Sequence, residues 1–384
     1  MTTDYDVVIV GARVAGAMTA LHLARAGHRV LIVDRAGPPA DTLSTHALMR
    51  TAVLQLTKAG LLGDLIDAGT PAIRRLTLGF GLDVVSFDVR SDYGVSALYA
   101  PRRTVLDPII LSAAQMAGAE VGLGRGVTAV TRDGANRVNG VVIGQGRDEI
   151  ALRARYVIGA DGRYSTVARL VGAVDDRVVE PTAASVYSYY SGMPDNGFDF
   201  RFGEGGTAGT LSTNDGLTLV WAGVPIGDFD DPASAFERTL DVVGPDIARA
   251  AAGAERVERL RFTRGIKSFL RTPTGPGWAL VGDAGFTKDP LSAHGISCAL
   301  RDSEFAAEAV ATGLAHPELE HEAGVRYATQ RDRFAVGVLE STAALASYRW
   351  TPARASDLMR QLGRLTDAEC EYLTTERHPV SRVA

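Results

Sequence analysis

The pattern of apolar and polar positions opens with a run of β-forming residues, Tyr5 to Val10, that breaks at once into Gly11-Ala12-Arg13-Val14-Ala15-Gly16-Ala17. An alanine- and leucine-rich segment then runs to Gly27, and a second β-forming run, Arg29 to Val33, ends in Asp34. These periods predict strand, tight turn, helix and strand. Gly11 supplies the turn, Gly16 lets helix and sheet approach closely, and the first free N–H groups of the helix face any anion held at the turn. Asp34 stands where a carboxylate accepts hydrogen bonds from ribose hydroxyls, so an adenine dinucleotide suits the unit. The middle glycine of the usual Gly-x-Gly-x-x-Gly is Arg13, whose side chain must point away from the phosphates or reach over them.

Beyond Asp34 the pattern reads as a Pro/Gly/Ala-rich connection to Leu43, a helix capped by Ser44 or Thr45 and running to about Gly60, and a short helix over Leu61 to Ala68. Arg74 to Gly79 and Leu82 to Val89 predict strands, Val105 to Gly118 a helix, and Ala119 to Leu123 and Val127 to Thr131 further strands. Asn136 to Ile143 and Glu149 to Ala154 form a hairpin, and Tyr156 to Ile158 is a separate buried strand stopped by Gly159-Ala160-Asp161-Gly162. From Ser185 to Val224 four strands follow, with Asn214-Asp215-Gly216 as a hairpin turn. Asp231 caps and Pro232 opens a helix to about Val242, and Val257 to Phe269 is extended. Trp278 to Val281 is a strand before Gly282-Asp283-Ala284-Gly285. The loop Pro290 to Gly295 then leads into a helix, Ile296 to Thr312, and Glu318 to Ala346, Ala353 to Gly363 and Asp367 to Leu373 are helical.

Composition narrows the classes. A chain of 384 residues, 46 % hydrophobic, is enough for two domains or one large one with a substantial core. A net charge of −5 with scattered arginines argues against nucleic acid as partner. Cys298 and Cys370 have neither metal-ligand nor disulfide-framework spacing, which reads as reduced thiols in a cytoplasmic protein. Asp4 and Asp6 stand where a signal peptide would be basic, and no run reaches the length of a membrane span. No two histidines have metal-ligand spacing; His22 and His28 read as structural, and His316, His321 and His378 as surface residues.

Three glycine and aspartate turns now stand at the ends of strands that belong to one core: Gly11 to Gly16, Gly159 to Gly162 and Gly282 to Gly285. In this order they make the chain resemble the class A FAD-dependent monooxygenases of the aromatic hydroxylase superfamily, with the para-hydroxybenzoate hydroxylase type of fold. The resemblance implies an α/β chain with α+β elements, in which a Rossmann-like FAD-binding domain carries an inserted antiparallel or mixed β-sheet substrate domain. The FAD-binding domain would comprise residues 1–75, 98–180 and 270–345. The substrate sheet would comprise 76–97 and 181–269, leaving 346–384 as a C-terminal helical segment.

The resemblance also implies roles. Gly11, Arg13, Val14, Ala15 and Gly16 would take the FAD pyrophosphate, Asp34 and Arg35 the adenosine end, and Arg103, or its neighbour Arg102, the phosphates or ribityl chain. Asp161-Gly162 matches a motif tied to cofactor holding and nicotinamide approach. Gly282-Asp283 would meet the ribityl chain, and Pro290, Gly295 and Ile296 the flavin ring. Substrate candidates are Tyr187, Tyr189, Phe200 and Trp221; alternation puts Tyr187 with Tyr189, sends Tyr190 the other way, and lines up Phe198, Phe200 and Phe202. His46 and His294 are candidates near the flavin, and no catalytic residue is otherwise identified.

The implied activity consumes NADPH or NADH, holds FAD non-covalently, and hydroxylates or epoxidises an aromatic or polycyclic, unsaturated small molecule with O₂ through a flavin C4a-hydroperoxide. Two alternatives stay open: an FAD-dependent reductase resembling geranylgeranyl reductases, and a non-catalytic nucleotide-binding interaction protein. A halogenase is disfavoured by the absence of Trp-x-Trp-x-Ile-Pro. Substrate identity, choice of nicotinamide and oligomeric state are not specified by the residues.

Overall fold

The computed structural model describes residues 4–38, 41–144 and 146–376; His378 lies outside the described residues. Among the described residues the chain builds three sheets. In the first, β1 (Asp4–Val10) pairs in parallel with β2 (Val30–Asp34) on one side and β8 (Ile150–Gly159) on the other. The sheet continues in parallel to β5 (Glu120–Leu123) beyond β2 and to β18 (Trp278–Leu280) beyond β8, with β17 (Thr274–Gly275) at the edge. An antiparallel hairpin of β6 (Val127–Arg132) and β7 (Val138–Ile143) joins it along β8. Near-continuous burial of Val7 to Ile9 and Val30 to Val33 follows from helices covering a parallel sheet.

The second sheet runs from β10 (Ala183–Ser191) through β13 (Leu217–Pro225), β12 (Gly206–Ser212) and β11 (Phe198–Gly203) to β3 (Arg75–Phe80) and β4 (Asp83–Asp88). All its pairs are antiparallel except β3 with β11, and β14 (Glu255–Arg256) and β15 (Arg261–Thr263) add to β10. A small third sheet joins β9 (Asp175–Val179), β16 (Ser268–Arg271) and β19 (Phe286–Thr287).

The helices are α1 (Val14–Arg25), α2 (Arg50–Ala59), α3 (Leu62–Asp67), α4 (Arg103–Met116), α5 (Thr166–Val171), α6 (Pro232–Val243), α7 (Pro245–Ala252), α8 (Gly295–Ala315), α9 (Glu320–Ala346) and α10 (Pro352–Glu371). Among the described residues no helix is long and apolar enough to cross a membrane.

The alternation read from sequence places side chains on the two faces of the second sheet. Tyr187, Tyr189, Phe198, Phe200, Phe202 and Trp221 share one apolar cluster with Leu291, Ala293 and residues of α9 and α10. Tyr190 lies in the opposite cluster, under Phe236 and Leu240 of α6. Asp231 accepts from the N–H groups of Ala233 and Ser234, as an N-cap before Pro232 should.

Three readings need correction. Residues 44–49 are not helical, because His46 takes a positive φ of 62° and Leu48 bridges to Tyr99. Tyr156 to Ile158 is not a separate strand but the end of β8, whose first half pairs with β7 and whose second half enters the parallel core. The two short C-terminal helices are one, α10, since Gly363 meets no steric demand for a turn and Asp367 pairs sideways with Arg50 and Arg90. Sequence reading also missed α7 and β9.

Candidate functional site

The first turn is fixed by backbone contact. The Gly11 N–H donates to the Val33 carbonyl at 2.8 Å, Gly11 has a φ of 113°, and a Cβ on Gly16 would sit 1.9 Å from the Gly11 carbonyl oxygen. Asp34 accepts from Ala12 N–H and Ala36 N–H, each at 2.8 Å, which holds its carboxylate at the turn with lone pairs to spare. Arg13 is the N-cap residue of α1; it points away along the surface and donates to the Thr42 hydroxyl at 2.8 Å, bridging the turn to the 41–46 loop. Val14 and Ala15 begin the helix, and Arg35 is exposed beside a depression of about 850 Å³ lined also by Gly124 to Thr128.

The second turn serves α5. The Asp161 carboxylate accepts from the Ser165 hydroxyl (2.5 Å) and from Thr166 N–H (2.6 Å), while Ser165 caps Ala168 N–H. Gly162, with φ of 79°, lets the chain reverse. Asp161 therefore shapes the turn from within.

The third turn packs on the first: Gly282 has φ of 57°, and a Cβ there would lie 2.7 Å from the Ala15 Cβ. Asp283 is enclosed by the surrounding protein, yet its side chain is open, as expected of a carboxylate facing a cleft. Burial pushes its pKa up against the pull of Lys288, Arg163 and Arg103. Gly295, the first residue of α8, is likewise exposed between buried His294 and Ile296, with no atom within 4 Å of where a Cβ would be. The free N–H groups and partial positive charge of a 21-residue helix begin close to this turn, since a Cβ on Gly282 would lie 3.5 Å from the Ala299 Cβ of α8 as well as against Ala15. These residues fit an FAD: a close-approach turn, a ribose carboxylate, a second open carboxylate, and a helix start.

The two histidines part company. His294 donates from Nδ1 to the Ser292 carbonyl at 2.5 Å, and its Nε2 lies 3.0 Å from the Thr366 hydroxyl. Both ring nitrogens are taken, so it pins the loop to α10 and is not a free group at the flavin; burial pushes its pKa down to about 4. His46 is buried, hydrogen-bonds through Nε2 to the Tyr189 hydroxyl, and leaves Nδ1 without a partner among the described residues. Burial, helped by Arg103, Arg102 and Arg261 against Asp41, lowers its pKa to about 3.

The arginine pair divides its labour. Arg103 grips Asp107 with two hydrogen bonds of 2.7 and 2.8 Å, one turn along α4, and acts electrostatically on Asp283. Arg102 lies 3.9 Å over the Tyr189 ring and donates to Asp41 and Glu258 at 2.7 Å each. Arg261 joins the same two carboxylates, so the 41–46 loop is tied to the second sheet by four charges. Tyr187 accepts from Ser44 N–H at 3.2 Å and closes the same loop. The Phe200 and Trp221 rings lie 5.6 Å apart and tilted by 60° on that face, and the Trp221 indole N–H has no acceptor among the described residues.

Two loop residues escaped the sequence reading. Lys288 is buried with its ammonium 4.3 Å from the Phe286 ring and no hydrogen bond among the described residues. Asp289, 5 % exposed, accepts from Leu291 N–H at 3.0 Å. The available signal was the placing of two charges between buried Phe286 and Leu291.

Residues 4–187 match the family described as FAD binding domain. The chain is 30 % identical over 335 residues to a menaquinone reductase of Mycolicibacterium smegmatis, covering 82 % of this chain and 78 % of that protein. The chain belongs to the FAD-dependent oxidoreductase family with the class A monooxygenase fold. The flavoprotein is also 38 % identical over 175 residues to a 12-dehydrotetracycline 5-monooxygenase/anhydrotetracycline 6-monooxygenase of Streptomyces rimosus, over 44 % of this chain and 33 % of that one. In fold the flavoprotein resembles a probable FAD-dependent monooxygenase of Pseudomonas aeruginosa, with TM-score 0.79, 21 % identity, and coverage of 95 % and 100 %.

In this flavoprotein, replacing Asp283 by Ala is expected to weaken FAD retention by about tenfold or more, because buried donors of the cofactor lose their acceptor. Cys298→Ala, a change in a buried packing thiol of α8, leaves retention near the native level. Flavin fluorescence recovered on dilution of the folded proteins measures both.

Proposed function

We propose that this flavoprotein is an NAD(P)H-consuming monooxygenase that adds oxygen to an aromatic or polycyclic, unsaturated small molecule. The observation that carries the reading is the inner face of the second sheet. It presents Tyr187, Tyr189, Phe200 and Trp221 in one apolar cluster with Leu291 and Ala293 of the flavin loop. Such a wall binds a flat ring and keeps water from a reactive oxygen species. The name of the Streptomyces rimosus relative points the same way. The division of the chain into residues 1–75, 98–180 and 270–345 for FAD and 76–97 with 181–269 for substrate accords with β3 and β4 joining the second sheet.

Bound FAD supplies hydride acceptance from the nicotinamide and activation of O₂. The protein's part is placement. The Gly11 turn and α1 N–H groups take the pyrophosphate, Asp34 the ribose, and Asp283 the ribityl hydroxyls. The start of α8 offers positive potential to the negative charge of a reduced flavin.

A second reading has its own support, for the menaquinone reductase relative aligns over most of both chains. Hydride transfer alone would use the same FAD site. Turnover under ¹⁸O₂ with NADPH, or NADH if NADPH is idle, separates them. A product heavier by one ¹⁸O atom is expected. A product that gains two hydrogens, and forms equally well without oxygen, selects the reductase.

A further inference from the structure

β4 is the outermost strand of the second sheet, and all its side chains are exposed. An open edge usually carries charge along its length, but this one is apolar between Asp83 and Asp88. Leu82, in the β3–β4 turn, is fully exposed, and Val84, Val85 and Phe87 are 45 to 58 % exposed. Four large apolar groups side by side in water mark a contact surface.

Register assigns these groups to faces. Directly opposed residues leave a sheet on the same side, and one such row runs Val85, Leu78, Phe200, Gly209, Trp221 and Tyr187. The aromatic wall therefore continues to the open edge, where α10 packs over β3 and β11 but leaves Val85 and Phe87 bare. Val84 lies on the other face, beside the paired hydroxyls of Thr77 and Ser86. The hairpin is thus apolar at its tip and on both faces. A flat protein surface would cover one face only. A second copy paired edge to edge about the middle of β4 would set Asp83 of one copy against Asp88 of the other, two like charges directly opposed. A fluid apolar medium covers tip and both faces together.

The surroundings suit the boundary of such a medium. Pro352 Cγ lies 3.3 Å from where a Cβ on Gly81 would be, so the start of α10 adjoins the tip. Arg349 and Arg354 there, and Arg74 and Arg75 at the base of β3, are exposed and have no ion-pair partner among the described residues. The unpaired acids nearby are Asp83, Asp88 and Glu204, so this corner is slightly basic in a chain of net charge −5. Trp350, partly exposed at the same corner with its ring 6.0 Å from that of Phe202, is the amphipathic kind of side chain that settles at a lipid–water boundary.

We propose that the β3–β4 hairpin docks this flavoprotein on a lipid bilayer, seating Leu82, Val84, Val85 and Phe87 among the acyl chains and the arginines among the headgroups. The docking is independent of the reaction at the flavin. Its consequence for substrate rests on the aromatic-pocket reading: a ring system dissolved in the bilayer would approach the wall from the Val85 end of the row.

The test mixes FAD-loaded protein with sucrose-filled vesicles of phosphatidylcholine, alone or with phosphatidylglycerol, and reads the pelleted share by flavin absorbance. Native protein should pellet with both, about threefold or more strongly with the anionic vesicles at low salt. Leu82→Gln with Phe87→Gln should weaken binding to both by about tenfold or more, with FAD retention and the urea midpoint at native levels. Arg349→Gln with Arg354→Gln should remove only the anionic preference. Native protein that stays in the supernatant with both vesicles, or a Leu82/Phe87 variant that pellets as native does, overturns the docking. A native dimer that the Leu82/Phe87 variant turns into a monomer gives the patch to a second copy and overturns it too. None of these readings involves turnover, so the ¹⁸O₂ result and the docking stand or fall separately.

Discussion

Arg301→Ala is expected to lower the free energy of unfolding by about 3 to 5 kcal/mol, with a lower urea midpoint and an unchanged slope. Arg301 is fully buried in α8. It donates to Asp302 from Nε at 2.9 Å and Nη2 at 2.7 Å, and from Nη1 to Glu369 of α10 at 3.0 Å. Truncation leaves two buried carboxylates without their cation, which costs far more than the net worth of the pairs. Replacing all three by residues of similar volume, as Arg301→Met, Asp302→Leu and Glu369→Leu, should recover much of the loss. Failure of the triple variant to recover would show that the charges do more than satisfy one another. Under the proposed placing of the first turn of α8 at the flavin, Arg301→Ala should loosen FAD retention as well.

Acid is expected to destabilise the protein steeply. His46 and His294 have folded pKa values of about 3 and 4, below the 6.5 of an exposed histidine. Their contribution to stability is therefore complete above pH 6.5 and is lost as the pH falls, because only the unfolded chain takes up the protons. At about 1.4 kcal/mol per unit, each histidine removes up to about 3 kcal/mol by pH 4. Asp289 works in the opposite sense. Its folded pKa lies above its unfolded value of 3.8, so its stabilisation is full below 3.8 and disappears as the pH rises through 6. Asp289→Asn should accordingly raise the thermal midpoint at pH 7.5 and steepen the fall toward pH 4.5. His294→Gln should flatten that fall. A midpoint that holds level from pH 7.5 to 4.5 would contradict the buried neutral state of both rings.

Much of this site was legible because each cofactor turn is local in sequence. Gly11, Gly16, Gly162 and Gly282 have backbone demands that sit within a few residues of the strands they end, and the β10 to β13 alternation declares its own inner face. What was hidden depends on distant partners. Nothing near His294 announces Thr366, and nothing near Arg102 announces Glu258 or Tyr189. The positive φ of His46 broke the helix expected from Ser44 because the loop is held by Tyr187 and Arg13, not by its own propensity. Lys288 and Asp289 looked like loop polarity until their burial gave them opposite surroundings.

The parallel pairing of β3 with β11 bears on how this protein is made. Leu76 finds its partner only at Phe198, so the β3 and β4 hairpin must wait while the intervening chain is synthesised. At ordinary ribosomal rates that interval is on the order of ten seconds. Throughout it, Leu82, Val84, Val85 and Phe87, which stay exposed even in the finished fold, have a still larger unsatisfied neighbourhood. The nascent chain thus carries an early apolar hairpin whose parallel partner is made late, the kind of unpaired edge that exposes a folding chain to association with its neighbours.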